Sequence, residues 1–305
     1  MPELPEVETV VSELRLKLKN KKIKHVSVLL PKMVAMGPKT LSNLRKTDAS
    51  VAEKFAKTLK GQKITDVKRR AKMIIIDLAG KYAILVHLKM TGQLIYFGKK
   101  ELDKQIRLLN LLNYKPVHLP AKSTHVIFDL SDGSKLFYND FRQFGYLKLV
   151  TDKELLQVPE LQGYGPEPLD KNFTYEKFEL LLKRRPNALL KPWIMDPTII
   201  AGIGNIYSDE ILFYAKVRPT RIVKSLKAEE RRFLFKGIKK ILIEAVKHRG
   251  SSVGDFVRPS GDWGTYGKIH RVYGRKGLPC KTCGTPIKSL KFNGRTGSFC
   301  PKCQR

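Results

Sequence analysis

The sequence predicts an α+β fold. An N-terminal antiparallel β-sandwich with flanking helices is followed by a helical region and a small cysteine-bearing module. Three observations predict it. Seven short segments rich in branched and aromatic residues fill the first half of the 305 residues, and runs of this kind pack as sandwiches rather than as parallel α/β sheets. Past the Gly/Pro-rich stretch Gly163-Tyr164-Gly165-Pro166-Glu167-Pro168 the hydrophobic spacing turns helical. All four cysteines fall in the last 26 residues.

Taken in order, residues 2–18 read as a helix with Val7, Val10, Val11, Leu14 and Leu18 on one face. Strands are predicted over 23–30, 73–78, 83–88, 93–97, 125–130, 135–138 and 146–150, several of them separated by turns such as Ala79-Gly80-Lys81 and Ser131-Asp132-Gly133-Ser134. The lysine-rich stretch 99–122 reads as an insertion or mobile loop. Helices are predicted over 175–183, 205–216 and 228–248. The last carries an apolar stripe of Leu234, Ile238, Ile241, Leu242, Ala245 and Val246 beside Arg231, Arg232, Lys236, Lys239, Lys240 and Lys247. The domain organisation expected is a catalytic sandwich over 1–150, a linker over 151–170, a helical domain over 171–264 and a terminal module over 265–305.

With 59 Lys+Arg against 28 Asp+Glu, the formal net charge is +31, and residues 263–305 hold no acidic side chain. Such a field attracts polyanions and disfavours self-association. A disordered basic tail is excluded by the 42% hydrophobic content. Nucleic acid is therefore the expected partner, with an anionic membrane surface next. No apolar run approaches a spanning length and no signal segment opens the chain, so a soluble cytoplasmic protein, monomeric and held near the nucleoid by DNA, is expected. Cys280, Cys283, Cys300 and Cys303 have the spacing C-x2-C-x16-C-x2-C, that of a tetrathiolate Zn2+ site. Four thiolates close the tetrahedron, so this zinc would be structural, and every cysteine would be used in it.

The candidate chemistry lies at the start, Met1-Pro2-Glu3-Leu4-Pro5-Glu6-Val7-Glu8. Removal of Met1 would leave Pro2 as a terminal secondary amine beside a carboxylate. An amine of this kind attacks an electrophilic carbon and forms an iminium (Schiff base) adduct while the carboxyl group moves protons. The plainer reading is a helix start, since Pro at the first helical position with Glu in the first turn is common.

Other segments point the same way as Pro2-Glu3: Arg69-Arg70-Ala71-Lys72, His87-Leu88-Lys89-Met90-Thr91-Gly92, Asp140-Phe141-Arg142-Gln143-Phe144-Gly145, Leu190-Lys191-Pro192-Trp193, Ala201-Gly202-Ile203-Gly204-Asn205-Ile206-Tyr207 and the cysteine module entered through Tyr273-Gly274-Arg275-Lys276-Gly277. In this order and over the full length, they resemble the formamidopyrimidine-DNA glycosylases (the Fpg/MutM family). Leu4 and Val7 favour that branch over the related endonuclease VIII (Nei) branch, which usually opens Pro-Glu-Gly-Pro-Glu. The resemblance implies a β-sandwich followed by a helix–two-turn–helix domain and a zinc finger. It also implies a bifunctional DNA glycosylase/AP lyase of base excision repair that acts on oxidised purines in double-stranded DNA.

By the same resemblance Pro2 is the nucleophile, Glu3 the proton donor to the sugar ring, Lys72 the acid of β-elimination and Arg295 the acid of δ-elimination. Arg295 would be at least a phosphate ligand, because arginine seldom releases a proton. Glu6 would order the N-terminal helix. Met90, Arg142 and Phe144 match the residues that fill the gap left by a flipped base; ordinary core packing is the alternative for Met90 and Phe144. Asn205 would contact phosphate, or cap a helix, or both. Lys191 is similar to a lysine near the lesion, the alternative being a solvated lysine.

The chain departs from the family pattern at Gln143, Ser123, Asn187, Pro197 and Thr198, where basic or other polar residues are usual. These positions bear on DNA grip and base preference rather than on Pro2 and Glu3. Two other readings stand beside this one: a Nei-like enzyme preferring oxidised pyrimidines, and a zinc-containing nucleic-acid binder without catalysis.

Overall fold

The computed structural model describes residues 1–38, 49–103, 108–109, 116–117, 119–292 and 294–305. They form two compact units. One comprises Met1–Pro2, Glu6–Gly163 and Ser251–Gly264, the other Glu3–Pro5, Tyr164–Gly250 and Thr265–Arg305. The chain thus crosses between units more often than linear divisions at 150, 170 and 264 anticipate.

The first unit opens with most of helix α1 (Leu4–Leu18). Pro5 lies in its first turn, where an N–H has no helical partner to lose, and Val7, Val10, Val11, Leu14 and Leu18 enter the core. There follow β1 (Ile23–Val28), β2 (Val34–Met36), α2 (Ala49–Leu59), β3 (Ile64–Arg70), β4 (Met73–Leu78), β5 (Tyr82–His87) and β6 (Gly92–Phe97). Next come α3 (Lys99–Asp103), the two-residue pair β7 (Leu108–Leu109) and β8 (Pro116–Val117), then β9 (Thr124–Leu130), β10 (Lys135–Asp140), β11 (Tyr146–Thr151) and α4 (Asp152–Leu155). The stretch 99–122, read from sequence as an insertion or mobile loop, lies in large part outside the described residues.

Two sheets, ordered β1-β9-β10-β6 and β2-β11-β5-β4-β3, share one core of Val26, Val126, Phe128, Ile74, Ile76, Val86 and Leu147. Their pairings are antiparallel except β11 with β2, which is parallel. Of the nine strands in these two sheets, β2 and β3 escaped the sequence reading. Both are edges: β2 is three residues long, and β3 buries Ile64 and Val67 while carrying Asp66, Lys68, Arg69 and Arg70, charges that protect an edge from further pairing. Residues 251–264 return to this unit. Phe256 joins the core, the Tyr96 N–H donates to the Pro259 carbonyl at 2.8 Å, and Arg258 meets Glu13 at 2.7 Å.

The second unit contains α5 (Tyr175–Arg184), α6 (Leu190–Met195), α7 (Asn205–Tyr214), α8 (Ala228–Lys247) and the hairpin β12 (Lys288–Phe292) to β13 (Arg295–Phe299). Thr174 caps α5, and Phe178 from α5 meets Trp193 from α6 edge-on at 6.0 Å. The α8 stripe is buried as predicted except Val246, and it includes Gly237. A Cβ on Gly237 would lie 2.8 Å from Tyr214 Cδ1, so α7 and α8 pack this closely only over a glycine. No helix among the described residues is long and apolar enough to cross a membrane.

Candidate functional site

In the second unit the site is built around α7. This helix is buried almost all round, from Ile206 to Leu212, including Ser208, Asp209 and Glu210. Buried polar groups are stable only with partners, and each of these has them. The N-cap is Gly204, which brings no side chain, and the orphan N–H groups of the first turn go to Glu3 instead. Its carboxylate, 2% exposed, accepts from the N–H groups of Gly204 at 2.8 Å, Ile206 at 2.8 Å and Tyr207 at 3.3 Å. Leu4 N–H donates to the Gly202 carbonyl at 3.0 Å and fixes the chain beside it. An anion at a helix N-terminus is the favoured electrostatic arrangement.

Asp209 joins three elements. One of its oxygens lies 2.5 Å from Lys191 Nζ of α6, and the other accepts from Ser298 N–H of β13 at 2.8 Å. Lys191 also donates to Ser208 Oγ at 2.9 Å and is fully buried. Burial pushes the Asp209 carboxyl up to about 7, against the pull of Lys191. The Glu210 carboxylate accepts from the N–H groups of Arg271, Val272 and Tyr273 at 2.9–3.0 Å, fixing the chain where it enters the cysteine module. Arg295, exposed, begins β13 and lines a cleft of about 490 Å³ with Arg185, Trp193, Asp196 and Phe292.

The four sulfurs of that module lie within 4.8 Å of one another, Cys280 to Cys303 at 3.9 Å and Cys283 to Cys300 at 3.5 Å. With Zn–S bonds of about 2.3 Å, a tetrahedron has S···S edges of about 3.8 Å. The cysteines are unbridged and fit that solid. Val272, Ile287 and Phe213 of α7 pack around them. They would hold one zinc, which ties the 277–303 loop together.

In the first unit, two loops are locked together. Met90 and Thr91 lie between β5 and β6, and residues 141–145 lie between β10 and β11. Asp140, 0% exposed, accepts from the Thr91 hydroxyl and from Gly145 N–H (2.7 Å), while Arg142 N–H donates to Thr91 Oγ1 at 2.9 Å. His125 Nε2 meets the Asp140 carbonyl at 2.8 Å. A Cβ on Gly145 would come within 2.7 Å of the His87 carbonyl, so the close approach of the loops needs glycine there. The Arg142 guanidinium lies 4.8 Å from the Phe144 ring centre, a cation–π stack.

Lys72 sits, half-buried, in the two-residue turn of the β3–β4 hairpin. Its neighbour Ala71 has φ 52, unusual without glycine and costly for a side chain. His87, paired with Met73, is held down to about 3 by burial first and then by the charges of Lys89 and Lys72. Pro2 is buried, as is Glu6, whose carboxylate accepts from Ser251 N–H at 2.7 Å.

Residues 1–147 match the family described as formamidopyrimidine-DNA glycosylase N-terminal domain, 164–257 the H2TH domain of the same enzymes, and 277–305 the zinc finger found in FPG and IleRS. The chain belongs to the formamidopyrimidine-DNA glycosylase family. It is 39% identical over 305 residues to the formamidopyrimidine-DNA glycosylase of Pelotomaculum thermopropionicum, covering 100% of this chain and 99% of that one. To the Listeria monocytogenes enzyme it is 36% identical, with 100% of both covered. Among solved structures it is similar to MutM in complex with DNA containing carbocyclic 8-oxo-G (TM-score 0.80, 31% identity, 100% of both chains). It is likewise similar to Lactococcus lactis Fpg with abasic-site DNA (TM-score 0.80, 30% identity, 100% of both chains). The family's sandwich, H2TH domain and zinc finger are the fold class expected from sequence.

Several sequence readings resolve once the family's residues are seen in place. Asn205 is not an N-cap; it is the first helical residue, and Glu3 does the capping. Met90 and Phe144 are 38% and 49% exposed, so core packing does not explain them. Lys191 is not a solvated lysine. Sequence reasoning missed Asp209 and Glu210, which look like the polar face of a surface helix, and Thr91 and Asp140, which look like turn residues. The available signal was that α7 offers apolar residues on every side of Ser208-Asp209-Glu210, a pattern of full burial.

Proposed function

We propose that this chain excises oxidised purines, 8-oxoguanine and formamidopyrimidines, from double-stranded DNA and then nicks the abasic site by β,δ-elimination. The chain is a DNA-formamidopyrimidine glycosylase, the activity of its family and of its relatives. Damaged DNA is its partner, as in the solved complexes of MutM and Fpg. We place it in the cytoplasm, acting as a monomer. The observation that carries the mechanistic reading is the buried Glu3 carboxylate, fixed by three backbone N–H groups one residue from the amine of Pro2.

With Met1 removed, the Pro2 nitrogen attacks the anomeric carbon, and the bond to the base breaks with its electron pair leaving on the base. Glu3 gives a proton to the ring oxygen as the sugar opens to the iminium. The adduct makes the adjacent C–H acidic, so its proton is lost and the 3′-phosphate departs, with Lys72 as acid. A second elimination releases the 5′-phosphate, with Arg295 at that group. Met90, Arg142 and Phe144 fill the gap left by the extruded nucleotide, Arg142 facing the orphaned base. Asn205 grips phosphate at the start of α7. Lys191 stands near the lesion, its part in DNA binding exerted from within the fold. Zinc holds the terminal module and takes no part in bond changes.

Borohydride trapping tests this reading on duplexes carrying 8-oxoguanine opposite C or thymine glycol opposite A. Protein beginning at Pro2 should be trapped on the 8-oxoguanine duplex, and an uncleaved N-terminal extension should abolish trapping. Equal trapping by protein confirmed to retain Met1 would falsify the Pro2 assignment. Oxidised pyrimidines are the second substrate class to measure, because a similar solved complex, of Lactococcus lactis Fpg, holds DNA with an oxidised pyrimidine. Stronger trapping on thymine glycol would move the preference to that class.

A further inference from the structure

Phe141 is the most solvent-exposed aromatic side chain among the described residues, 78% exposed, and none of the roles above uses it. The loop beneath it is nevertheless fixed. Asp140 N–H donates to the Ser123 carbonyl at 2.8 Å, Arg142 N–H to Thr91 Oγ1 at 2.9 Å, Gln143 N–H to the Asp140 carbonyl at 3.2 Å and Gly145 N–H to Asp140 Oδ2 at 2.7 Å. Gln143 is held at φ 55 within it. A phenylalanine displayed on a pinned backbone exposes apolar area that the fold does not bury. It stands in the same loop as Arg142 and Phe144, whose side chains stack on each other at 4.8 Å. The same loop carries the uncharged Gln143 between Arg142 and Phe144, so it displays two aromatic rings and a single cation.

We propose that Phe141 is a base-stacking residue of the DNA-reading loop, packing on the face of a nucleobase beside the gap left by the extruded nucleotide. This rests on the DNA-repair reading above. Stacking on an aromatic ring is indifferent to base identity and to salt, unlike a phosphate contact. Phe141 therefore supplies grip on damaged DNA that adds to the affinity without adding to its salt dependence.

The test is binding of Phe141→Ala, Phe141→Trp and Phe141→Leu to a duplex with an abasic-site analogue opposite C, across a salt series, with 2-aminopurine placed on either side of the orphaned base. Phe141→Ala should weaken binding roughly fivefold to a hundredfold, leave the salt slope unchanged and relieve quenching of one 2-aminopurine, while Phe141→Trp restores both. Unchanged affinity and fluorescence in Phe141→Ala would overturn the proposal. So would full restoration by Phe141→Leu, which points to apolar burial without stacking. Loss of a self-associated form of Phe141→Ala in sedimentation would make the patch a protein interface and overturn it as well. Binding to the analogue needs no catalysis, so failure of borohydride trapping sinks the enzymatic reading separately.

Discussion

Three backbone N–H groups at the start of α7, those of its cap Gly204 and of Ile206 and Tyr207, converge on Glu3, and a glutamine there keeps one acceptor and turns the other into a donor facing donors. A buried N–H left without its acceptor costs about 1–3 kcal/mol. Glu3→Gln should therefore lower the melting temperature by several degrees and abolish most base excision. Well below the transition, affinity for an abasic-site analogue should fall far less than excision. A parallel fall in excision and binding would leave Glu3 a structural cap alone. His87 gives a pH signature at the same scale. Its folded pKa of about 3 lies below the ordinary value near 6.5, so acid protonates the unfolded chain first. The stability held by the neutral ring is complete above about pH 6.5 and is lost as pH falls towards 3. His87→Gln, neutral at every pH, should flatten the curve of melting temperature against pH in that window; a curve of unchanged slope would contradict the assignment.

Among elements, α7 is the one through which α6, the entry to the zinc module and β13 are held in register. Lys191 and Asp209, both fully enclosed, make the first of these links, and Glu210 makes the second. Removing one member of a buried pair leaves an uncompensated charge, about 3–5 kcal/mol, whereas replacing both with apolar groups is often nearly neutral. Asp209→Leu should lower urea stability on that scale, and Lys191→Met combined with Asp209→Leu should recover much of it. If the double variant is no more stable than the single, the hydrogen bonds to Ser208 and Ser298 rather than the charge pair carry the energy.

For the whole molecule, the net charge of +31 and the zinc module set the behaviour toward DNA. Binding should weaken steeply with salt, with a log–log slope of roughly −0.9 per phosphate neutralised. Arg295→Ala should flatten that slope by about one phosphate and weaken binding to damaged and intact duplex alike. Arg142→Ala should instead narrow the gap between damaged and intact duplex, because intact DNA offers no gap to fill. A salt titration of both variants on both duplexes separates these roles, and equal behaviour of the two would collapse the distinction. Zinc affinity at such sites is on the order of 10 kcal/mol or more. Metal analysis should find one zinc per chain, and Cys283→Ser should release it and cut DNA binding. Normal binding and cleavage by chelated, metal-free protein would remove zinc from the account.

The sequence by itself determined what short-range chemistry can determine. Alternating and helical periodicities marked the longer strands and α8, the C-x2-C pairs marked the zinc site, and the Pro2-Glu3 terminus with its companion motifs marked the family. Each signal lies within a few residues of itself or at fixed spacing. The tertiary structure alone decided what depends on residues far apart in the chain. Glu3 caps α7 across about 200 residues, residues 251–264 return to the first unit, and Lys191 and Asp209 meet in the interior. The edge strand β3 belonged to the same class, because its charges are explained only by its place at the sheet's rim. Burial decides these cases: the same carboxylate or lysine is a solvated surface group or an essential link according to what packs over it, and nothing local in the sequence records that.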